Sequence, residues 1–485
     1  MEVFFYFSWT KSFKMRRLII FLFISSSLSQ AQYIVVLDSI SNEPISYASV
    51  YDGKTGVITS ASGMVYWSSP ADSITLSCLG YASKKIAASQ FRDTIYMVPK
   101  SVELLPVLVS NRKLTAEEII DSVKANTKKN VAFGLSSSEV FVHSTYMEDT
   151  HKMDVKIEKS TITELDQSFV NELLEQVPKK EKMESFSRSK WLRDSGGLKH
   201  HKLEVLQAAR LRDSLIENGY KSMAETVDEI LKKRVKKDSY FKVKSGPLIS
   251  VKVDNPTKEI DTVEQEKQAL LPKDYAAKTL GLLQRLATKN LFEKNDWVLP
   301  FLVNPKKYTF SNEGIVYDLN VPLYKIRFRS NKKKDFSGYL LVDIDDYGVH
   351  KIEFQNNKHE NRLKLFGLFF EKRLNNRTYT FAKNHDGKYT LFHIYEEYQQ
   401  QIGLKRPIKI IEKNKVVKGR NRQNVLSMDV HFRVNETYQK SIYFNSFTPV
   451  SMKEFDAFTF KHSVLPKDLY SKAEIQKYIP GLHLE

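Results

Sequence analysis

Between Tyr33 and Pro99 the chain alternates short apolar runs with turn residues at intervals too short for a helix, and this stretch constrains the fold most. Ile74, Leu76 and Cys78 alternate with Ser73, Thr75 and Ser77, the period of two expected of a strand with one buried face. Ile34 to Asp38, Ala48 to Tyr51, Gly56 to Ser60, Met64 to Trp67 and Asp93 to Val98 read as further strands. Asn42-Glu43-Pro44, Asp52-Gly53, Ser62-Gly63, Pro70-Ala71-Asp72 and Gly80 supply the turns between them. The pattern predicts a small sandwich of about seven strands over residues 32–100. The 29 Phe and 24 Tyr of the whole chain favour strands elsewhere too.

What precedes this stretch places the protein. Met15-Arg16-Arg17, the apolar run Leu18 to Ile24 and Ser29-Gln30-Ala31 have the charged, apolar and small-residue order of an export signal. Residues 1–31 are therefore expected to be a signal peptide, with translation starting at Met1 or Met15 and the mature chain at Gln32. The apolar run is far below the ~20 residues that span a bilayer, and no later stretch approaches that length, so no transmembrane segment is expected in the mature chain. No cysteine follows the run to carry a lipid. The single cysteine, Cys78, excludes an intrachain disulfide or a cysteine-based zinc cluster and reads as a small buried hydrophobe.

With a formal charge of +18, the chain attracts polyanions. Export makes nucleic acid the wrong partner. It leaves an outer-membrane protein, or anionic lipid or glycan, as the expected partners, and the periplasm or outer-membrane surface of a Gram-negative envelope as the expected location.

Past a linker, Thr115-Ala116-Glu117-Glu118 is a capping box, and Ile119, Ile120 and Val123 stripe the helix that follows to about Asn130, so residues 101–130 read as linker and capped helix. Residues 131–485 read as one antiparallel sheet domain. Ser138 to Tyr146 and Val155 to Thr163 alternate as strands. Over 164–237 the period changes: Leu165, Phe169, Leu173 and Val177 are spaced by four, as are Leu211 and Leu215, and Val227, Ile230, Leu231 and Val235 form a third stripe. This predicts a helical insertion, broken at Ser195-Gly196-Gly197. Its basic run, Lys232 to Lys237, either touches anionic headgroups or is a solvated helix end whose cations complement the macrodipole.

Strands resume at Tyr240 to Lys244 and Leu248 to Val253, followed by a helix from Ala276 to Thr288. Lys307 to Phe310, Ile315 to Leu319, Tyr324 to Arg329, Gly338 to Ile344 and Val349 to Phe354 then form a meander, with turns at Asn312-Glu313-Gly314 and Asp345 to Gly348. Tyr389 to Glu396, Ile408 to Ile411, Val425 to Val434 and Lys440 to Phe447 continue as strands. The fold class is mainly β with α insertions (α+β): a seven-stranded prealbumin/Ig-like sandwich followed by a larger antiparallel, curved sheet.

Two resemblances join these readings. Asp38, Glu43-Pro44-Ile45, Ala48-Ser49-Val50, Gly56-Val57-Ile58-Thr59, Ser62-Gly63 and Leu76 to Tyr81 follow one another as in the carboxypeptidase-regulatory-like, or prealbumin-like, domain. Leu104 to Val109 is similar to the tail that leaves this module in outer-membrane receptors. The resemblance implies an accessory domain without a catalytic residue. Asn304-Pro305, Tyr324 to Phe328 and Phe336 to Asp343 resemble a domain of unknown function that follows this module in exported envelope proteins. Its strand and turn rhythm is also similar to the curved sheets of periplasmic lipoprotein carriers, a likeness of fold alone. In the resembled family a membrane β-barrel comes next. Here the residues after Phe354 are too few for one, so a soluble or surface-associated body is expected.

Candidate chemistry is sparse. His201 with Glu204, His350 with Glu353 and His393 with Glu396 share a His-x-x-Glu spacing, and His462 is a conceivable third zinc ligand for the second pair. His350 and Glu353 sit in an expected strand, where positions three apart point to opposite faces unless the strand ends between them, so the second pair is expected not to converge, and spacings of this kind arise by chance among eleven histidines. Asp343, Asp345, Asp346 and Gly348 lack the bidentate Glu of a calcium loop and read as a hairpin turn. Lys405, Arg406, Lys409, Lys413, Lys415, Lys418, Arg420 and Arg422 alternate in part with Ile408, Ile410, Val416 and Val417. They form either a cationic strip for phosphorylated lipid or acidic polysaccharide, or lysines guarding an edge strand. No catalytic, cofactor-binding or metal-binding residue is assigned and no cofactor is expected. The sequence reading is thus a non-enzymatic envelope protein acting as a binding or assembly module, with a periplasmic carrier of lipid or another apolar ligand, or a divergent zinc hydrolase, as alternatives.

Overall fold

The computed structural model of the chain describes residues 32–99 and 114–479, apart from 46–47, 52–55, 60–62, 68–71, 79–80, 83, 198, 237–238, 247–248, 255–270, 319–320, 333–334, 359, 385, 415–423, 445–446 and 460–462. The signal peptide, the tail at Leu104 to Val109, His462 and Lys415 to Arg422 lie outside the described residues. The described chain forms two compact units, one up to Pro99 and one of Leu114–Tyr317 with Val321–Ile479.

The first unit holds seven strands: β1 (Gln32–Asp38), β2 (Ser49–Tyr51), β3 (Gly56–Ile58), β4 (Met64–Trp67), β5 (Ser73–Ser77), β6 (Lys84–Ala87) and β7 (Thr94–Met97). They make two sheets, ordered β4-β1-β7 and β3-β2-β5-β6. Alternation explains the pairing of the sheets. Ile34, Val36, Val65, Ile95 and Met97 of one and Val50, Ile74, Leu76 and Ile86 of the other share a single core. Gly63 sits at φ +72°, where a β-carbon would come within 2.5 Å of the Val36 carbonyl oxygen, so the turn into β4 needs glycine. Cys78 packs against this core but is only partly buried, because β5 ends at Ser77.

The second unit is built on one sheet of 15 strands. Helix α1 (Ala116–Asn130) opens it with the expected capping box: Thr115 accepts from the Glu118 N–H, and Glu118 accepts from the Thr115 N–H at 2.9 Å. The strands that follow are β8 (Leu135–Ser160), β9 (Lys180–Asp194), β10 (His201–Leu211), β11 (Ser239–Ser245) and β12 (Ile249–Asp254). Helix α2 (Gln167–Gln176) lies between β8 and β9, and α3 (Ser214–Arg234) between β10 and β11. Helix α4 (Pro272–Gln284) runs into a π-helical turn at Arg285–Lys289, then a small hairpin of β13 (Phe292–Glu293) and β14 (Asp296–Trp297), then the short α5 (Pro300–Val303). The sheet is completed by β15 (Tyr308–Asp318), β16 (Val321–Ser330), β17 (Phe336–Asp343), β18 (Val349–Asn356), β19 (Glu360–Leu365), β20 (Leu368–Lys383), β21 (Tyr389–Asn414), β22 (Val425–Phe444), β23 (Thr448–Pro449) and β24 (Lys467–Leu469). Its main path is β15-β16-β17-β18-β20-β21-β22-β8-β9-β10-β24.

Ile119, Ile120 and Val123 of α1, Leu283 of α4, Leu286 of the π turn and Phe301 and Leu302 of α5 are buried against Val140, Val142, Trp191, Ile326, Phe328, Ile352, Ile394 and Ile442 of the sheet. Each such aliphatic side chain contributes roughly 2 kcal/mol by leaving water. We call the face of the sheet under these helices the inner face. Ser144, Ser185 and Ser187 underlie Tyr275, Thr279 and Leu282, so small sheet residues make room for α4.

Three expectations are corrected. The helical insertion at 164–237 is helical only at its ends: α2 and α3 carry the stripes at Phe169 to Leu173 and Val227 to Leu231, but β9 and β10 occupy the middle and the break at Ser195-Gly196-Gly197 is their turn. Leu211 ends a strand, and Leu215 starts a helix at 82% exposure, so their spacing of four reflected no buried stripe. Pairs of expected strands are single long ones: β8, β21 and β22 run for 26, 26 and 20 residues. Their polar middles are half-exposed, so the alternation that marks a strand fades there without the hydrogen bonding ending. Asn312 to Gly314, expected as a turn, lies inside β15. Gly314 takes φ +100° there, and Asn312 Oδ1 accepts its N–H at 3.0 Å.

Candidate functional site

Alternation sets up a polar break in the inner face. Along β21 the apolar Ile394 is followed at every second position by Glu396, Tyr398 and Gln400. Cross-strand partners share a face. One row across the sheet therefore reads Arg377, Glu396, Lys440, Ser144, Ser185, Arg210, and the next Asn375, Tyr398, Tyr438, Tyr146, Met183.

The first row is charged and covered. Glu396 is buried, yet both Arg377 and Arg285 reach it. Arg377 Nε donates to Oε1 at 3.0 Å, and Arg285, in the π turn of the helical cover, donates from Nη1 and Nη2 at 3.3 and 3.4 Å. Burial alone raises a carboxyl pKa, but the Arg377 and Arg285 guanidiniums outweigh it and hold Glu396 below the ordinary range. Lys440 makes no ion pair among the described residues. Burial pushes its ammonium pKa down; Glu396 opposes this and Arg285 adds to it.

The second row is aromatic. The rings of Tyr146 and Tyr438 lie 4.9 Å apart and those of Tyr398 and Tyr438 5.9 Å apart. Lys372 Nζ sits 5.3 Å from the Tyr398 ring and Lys440 Nζ 5.9 Å from that of Tyr438. Burial, then Glu436, pushes the Tyr438 phenol up to about 12.

Between the rows is a cavity of about 330 Å³ lined by Arg285, Lys372, Arg377 and Lys440, four cations around the single carboxylate Glu396, with Tyr398 and Tyr438. A second cavity of about 230 Å³ shares Tyr438 and Lys440 and extends to Met183 and Leu211, beside Arg210 and Arg212. It meets a third, of about 180 Å³, at Ser144 and Ser185, where Val142 and Leu282 stand beside Ser187, Tyr275, Thr279 and Lys278. The path thus leads from an end with four cations to one with a single cation, Lys278, beside Val142 and Leu282. A larger cleft of about 950 Å³ lies between α2 and β8, but His151, Asp154, Lys156, Glu175 and Lys179 give it charge of both signs.

The structure separates the His-x-x-Glu pairs. His393 and Glu396 point from opposite faces: His393 stacks on Tyr443 with 4.6 Å between ring centres, and burial drives its pKa to about 3. His350 Nε2 lies 3.1 Å from Tyr389 Oη and 3.5 Å from Asp343 Oδ2, whereas Glu353 bonds Tyr339 Oη at 2.9 Å and Lys351 at 3.1 Å. His201 stacks on Trp191, its Nε2 2.9 Å from the Gly197 carbonyl. Among the described residues no group of three His, Cys, Asp or Glu side chains is placed to hold a metal ion.

Asp343, Asp346 and Gly348 form a turn. Asp343 Oδ1 accepts the Asp345 N–H at 2.9 Å and Asp346 Oδ1 the Gly348 N–H at 2.7 Å, while Lys383 reaches both carboxylates at 3.1 and 2.8 Å. Of the expected basic strip, Lys405 and Lys409 alternate on β21 with Arg406, Ile408 and Ile410, which take the face of Ile394. Arg285, Lys372 with Arg377, and Lys440 come from three separate elements, the π turn, β20 and β22, so no local spacing announces the set. The signal available was polar residues at inner-face positions of β21.

Neither a protein-family model nor a curated protein matches the sequence. Among solved structures the chain is similar to a LolA superfamily protein from Nitrosomonas europaea, at 10% identity over 71% of this chain and 98% of that one, with a TM-score of 0.19. It is also similar to MucB in the MucA/MucB complex of Pseudomonas aeruginosa, at 8% identity over 65% of this chain and 93% of that one, with a TM-score of 0.16. Scores this low carry no argument about function. Among the described residues no helix is long and apolar enough to cross a membrane.

Proposed function

We propose that the protein is a non-enzymatic binding protein of the exported cell envelope, and that its inner-face cavity holds the head of an anionic amphiphile. The observation that carries this reading is the charge imbalance at the cavity: four cations surround one carboxylate, and that carboxylate is already shared by Arg377 and Arg285. A half-buried ammonium at Lys440 without an ion-pair partner among the described residues leaves a desolvation cost that a bound anion would offset. The linked cavities toward Met183, Leu211 and Leu282 offer the rest of an amphiphile a less polar place. Among the sequence readings this favours binding of a lipid-like ligand. The two-sheet unit at residues 32–99 fits the prealbumin-like accessory module, and the charge of +18 fits an anionic lipid or glycan partner.

The test is extraction of the purified full chain followed by mass spectrometry. An anionic amphiphile should co-purify with the wild type and be depleted in a Lys372→Met, Lys440→Met double variant. Recovery of only neutral or cationic lipids, or equal recovery from the variant, contradicts the reading.

A further inference from the structure

A second feature lies beyond the cavity on the same strand, where β20 begins at Leu368, four residues before Lys372. Among the twenty exposed large apolar side chains of the described residues, four sit in six consecutive positions at the end of the β19-β20 hairpin: Leu363 at 51%, Leu365 at 50%, Phe366 at 56% and Leu368 at 47% exposure. Three more, Ile249, Val251 and Val253, are those of β12. The two hairpin ends are tied by Arg406, which donates to the Ser245 carbonyl at 2.7 Å and holds its guanidinium 5.9 Å from the Phe366 ring.

The turn itself is unusual. Phe366 and Gly367 take φ +47° and +78°, the conformation of a two-residue hairpin turn in which both central residues are left-handed. Gly367 is required there, since a β-carbon would come within 2.1 Å of the Lys405 carbonyl oxygen. Asn or Asp would suit the first position, and a bulky aromatic side chain suits it poorly. The Phe366 side chain is more than half exposed, so burial within the chain does little to offset that strain.

The hairpin is amphipathic across its two faces. Leu363 pairs with Phe370 and Leu365 with Leu368, and Leu368 and Phe370 pair in turn with Leu404 and Ile402 of β21, so these share one face. Arg362 and Lys364 alternate onto the other face, and Lys405 alternates with Leu404 on β21. Arg362, Lys364 and Lys405 are exposed, and Lys364 and Lys405 make no ion pair among the described residues.

We infer that this hairpin end, with β12 beside it, is a docking element for an anionic lipid bilayer. Leu365, Phe366 and Leu368 enter the boundary between headgroups and acyl chains, and Arg362, Lys364 and Lys405 stay at the level of the lipid phosphates. Charge complementarity selects the occupant: an apolar wedge flanked by cations fits a surface that is apolar at depth and anionic at its rim. The inference does not rest on the cavity at Lys440.

The test is flotation of the full chain with vesicles of equal parts phosphatidylglycerol and phosphatidylethanolamine, and with vesicles of phosphatidylcholine alone. Wild type should float with the anionic vesicles and at least tenfold less with the neutral ones. Phe366→Asn relieves the left-handed turn while removing the wedge, so its melting temperature should stay level or rise while anionic-vesicle binding falls at least tenfold. Leu215→Asn, which removes an apolar side chain 82% exposed at the start of α3, should float as the wild type does, so that the loss in Phe366→Asn reads the hairpin and not surface apolarity in general. Vesicle binding by Phe366→Asn equal to that of the wild type, or a wild type that does not float with anionic vesicles, overturns the inference.

Discussion

His393 and Glu396, three residues apart on β21, leave opposite faces of the sheet, one to stack on Tyr443 and the other to meet Arg377 and Arg285. A spacing that invites a metal reading in the sequence thus divides into two unrelated buried groups, each with its own pH signature.

For His393 the direction is set by burial, with Lys351 adding to it. The folded pKa is about 3, below the ordinary 6.5, so the unfolded chain takes up a proton first as pH falls. Stability from this group is complete above pH ~6.5 and declines toward pH ~3, by at most about 1.4 kcal/mol per pH unit. His393→Leu should flatten the loss of denaturant midpoint between neutral pH and pH ~4.5. A variant with the same pH dependence as the wild type would show that the ring is not buried neutral.

Glu396 acts in the same sense at lower pH. Its folded pKa is depressed below the ordinary 4.5, so its contribution is present above that value and is lost as pH falls through the lower folded one. Glu396→Gln should cost about 3 kcal/mol at neutral pH by leaving the half-buried Arg377 uncompensated. The difference between variant and wild type should shrink on acidification. Equal sensitivity to acid in both proteins would count against the pairing.

Gly348 tests the turn that read faintly as a calcium loop. A β-carbon there would lie 1.9 Å from Tyr389 Cε2. The ring has nowhere to go, because Tyr389 Oη lies 3.0 Å from Asp343 Oδ2 and 3.2 Å from Asp346 Oδ1. Gly348→Ala should destabilise the protein by about 3 kcal/mol. Gly387, at φ +72° with nothing within 4 Å of its would-be β-carbon, is the control: Gly387→Ala should cost about 1 kcal/mol from backbone strain alone. Calorimetric melting of both variants checks the ranking, and equal costs would contradict it.

Local signals made much of the fold legible. The Thr115 to Glu118 capping box, six of the seven strands of the first unit and the hairpins over Val321–Asn356 follow from capping, alternation and turn residues. β6 carries no such signal, because only Ile86 of its four residues faces the core. β9 lacks a strand's apolar alternation because its inner face carries Ser185, Ser187 and Ser189 beneath the helical cover. The site was illegible for a different reason: Arg285, Arg377 and Lys440 become neighbours of Glu396 only through strand register and the placement of the π turn. The single sequence pattern that touched the site flagged Glu396 through its spacing from His393, a residue on the other face.

The central claim, that the inner-face cavity binds an anionic amphiphile, is tested most directly by calorimetric titration of the full chain with dodecyl phosphate below its micelle concentration, against dodecyltrimethylammonium as the cationic control. The account predicts saturable binding of the phosphate near one equivalent, at least tenfold weaker in Lys440→Met, and no saturable binding of the ammonium. Equal binding of the two amphiphiles, or phosphate binding unchanged by Lys440→Met, would contradict it.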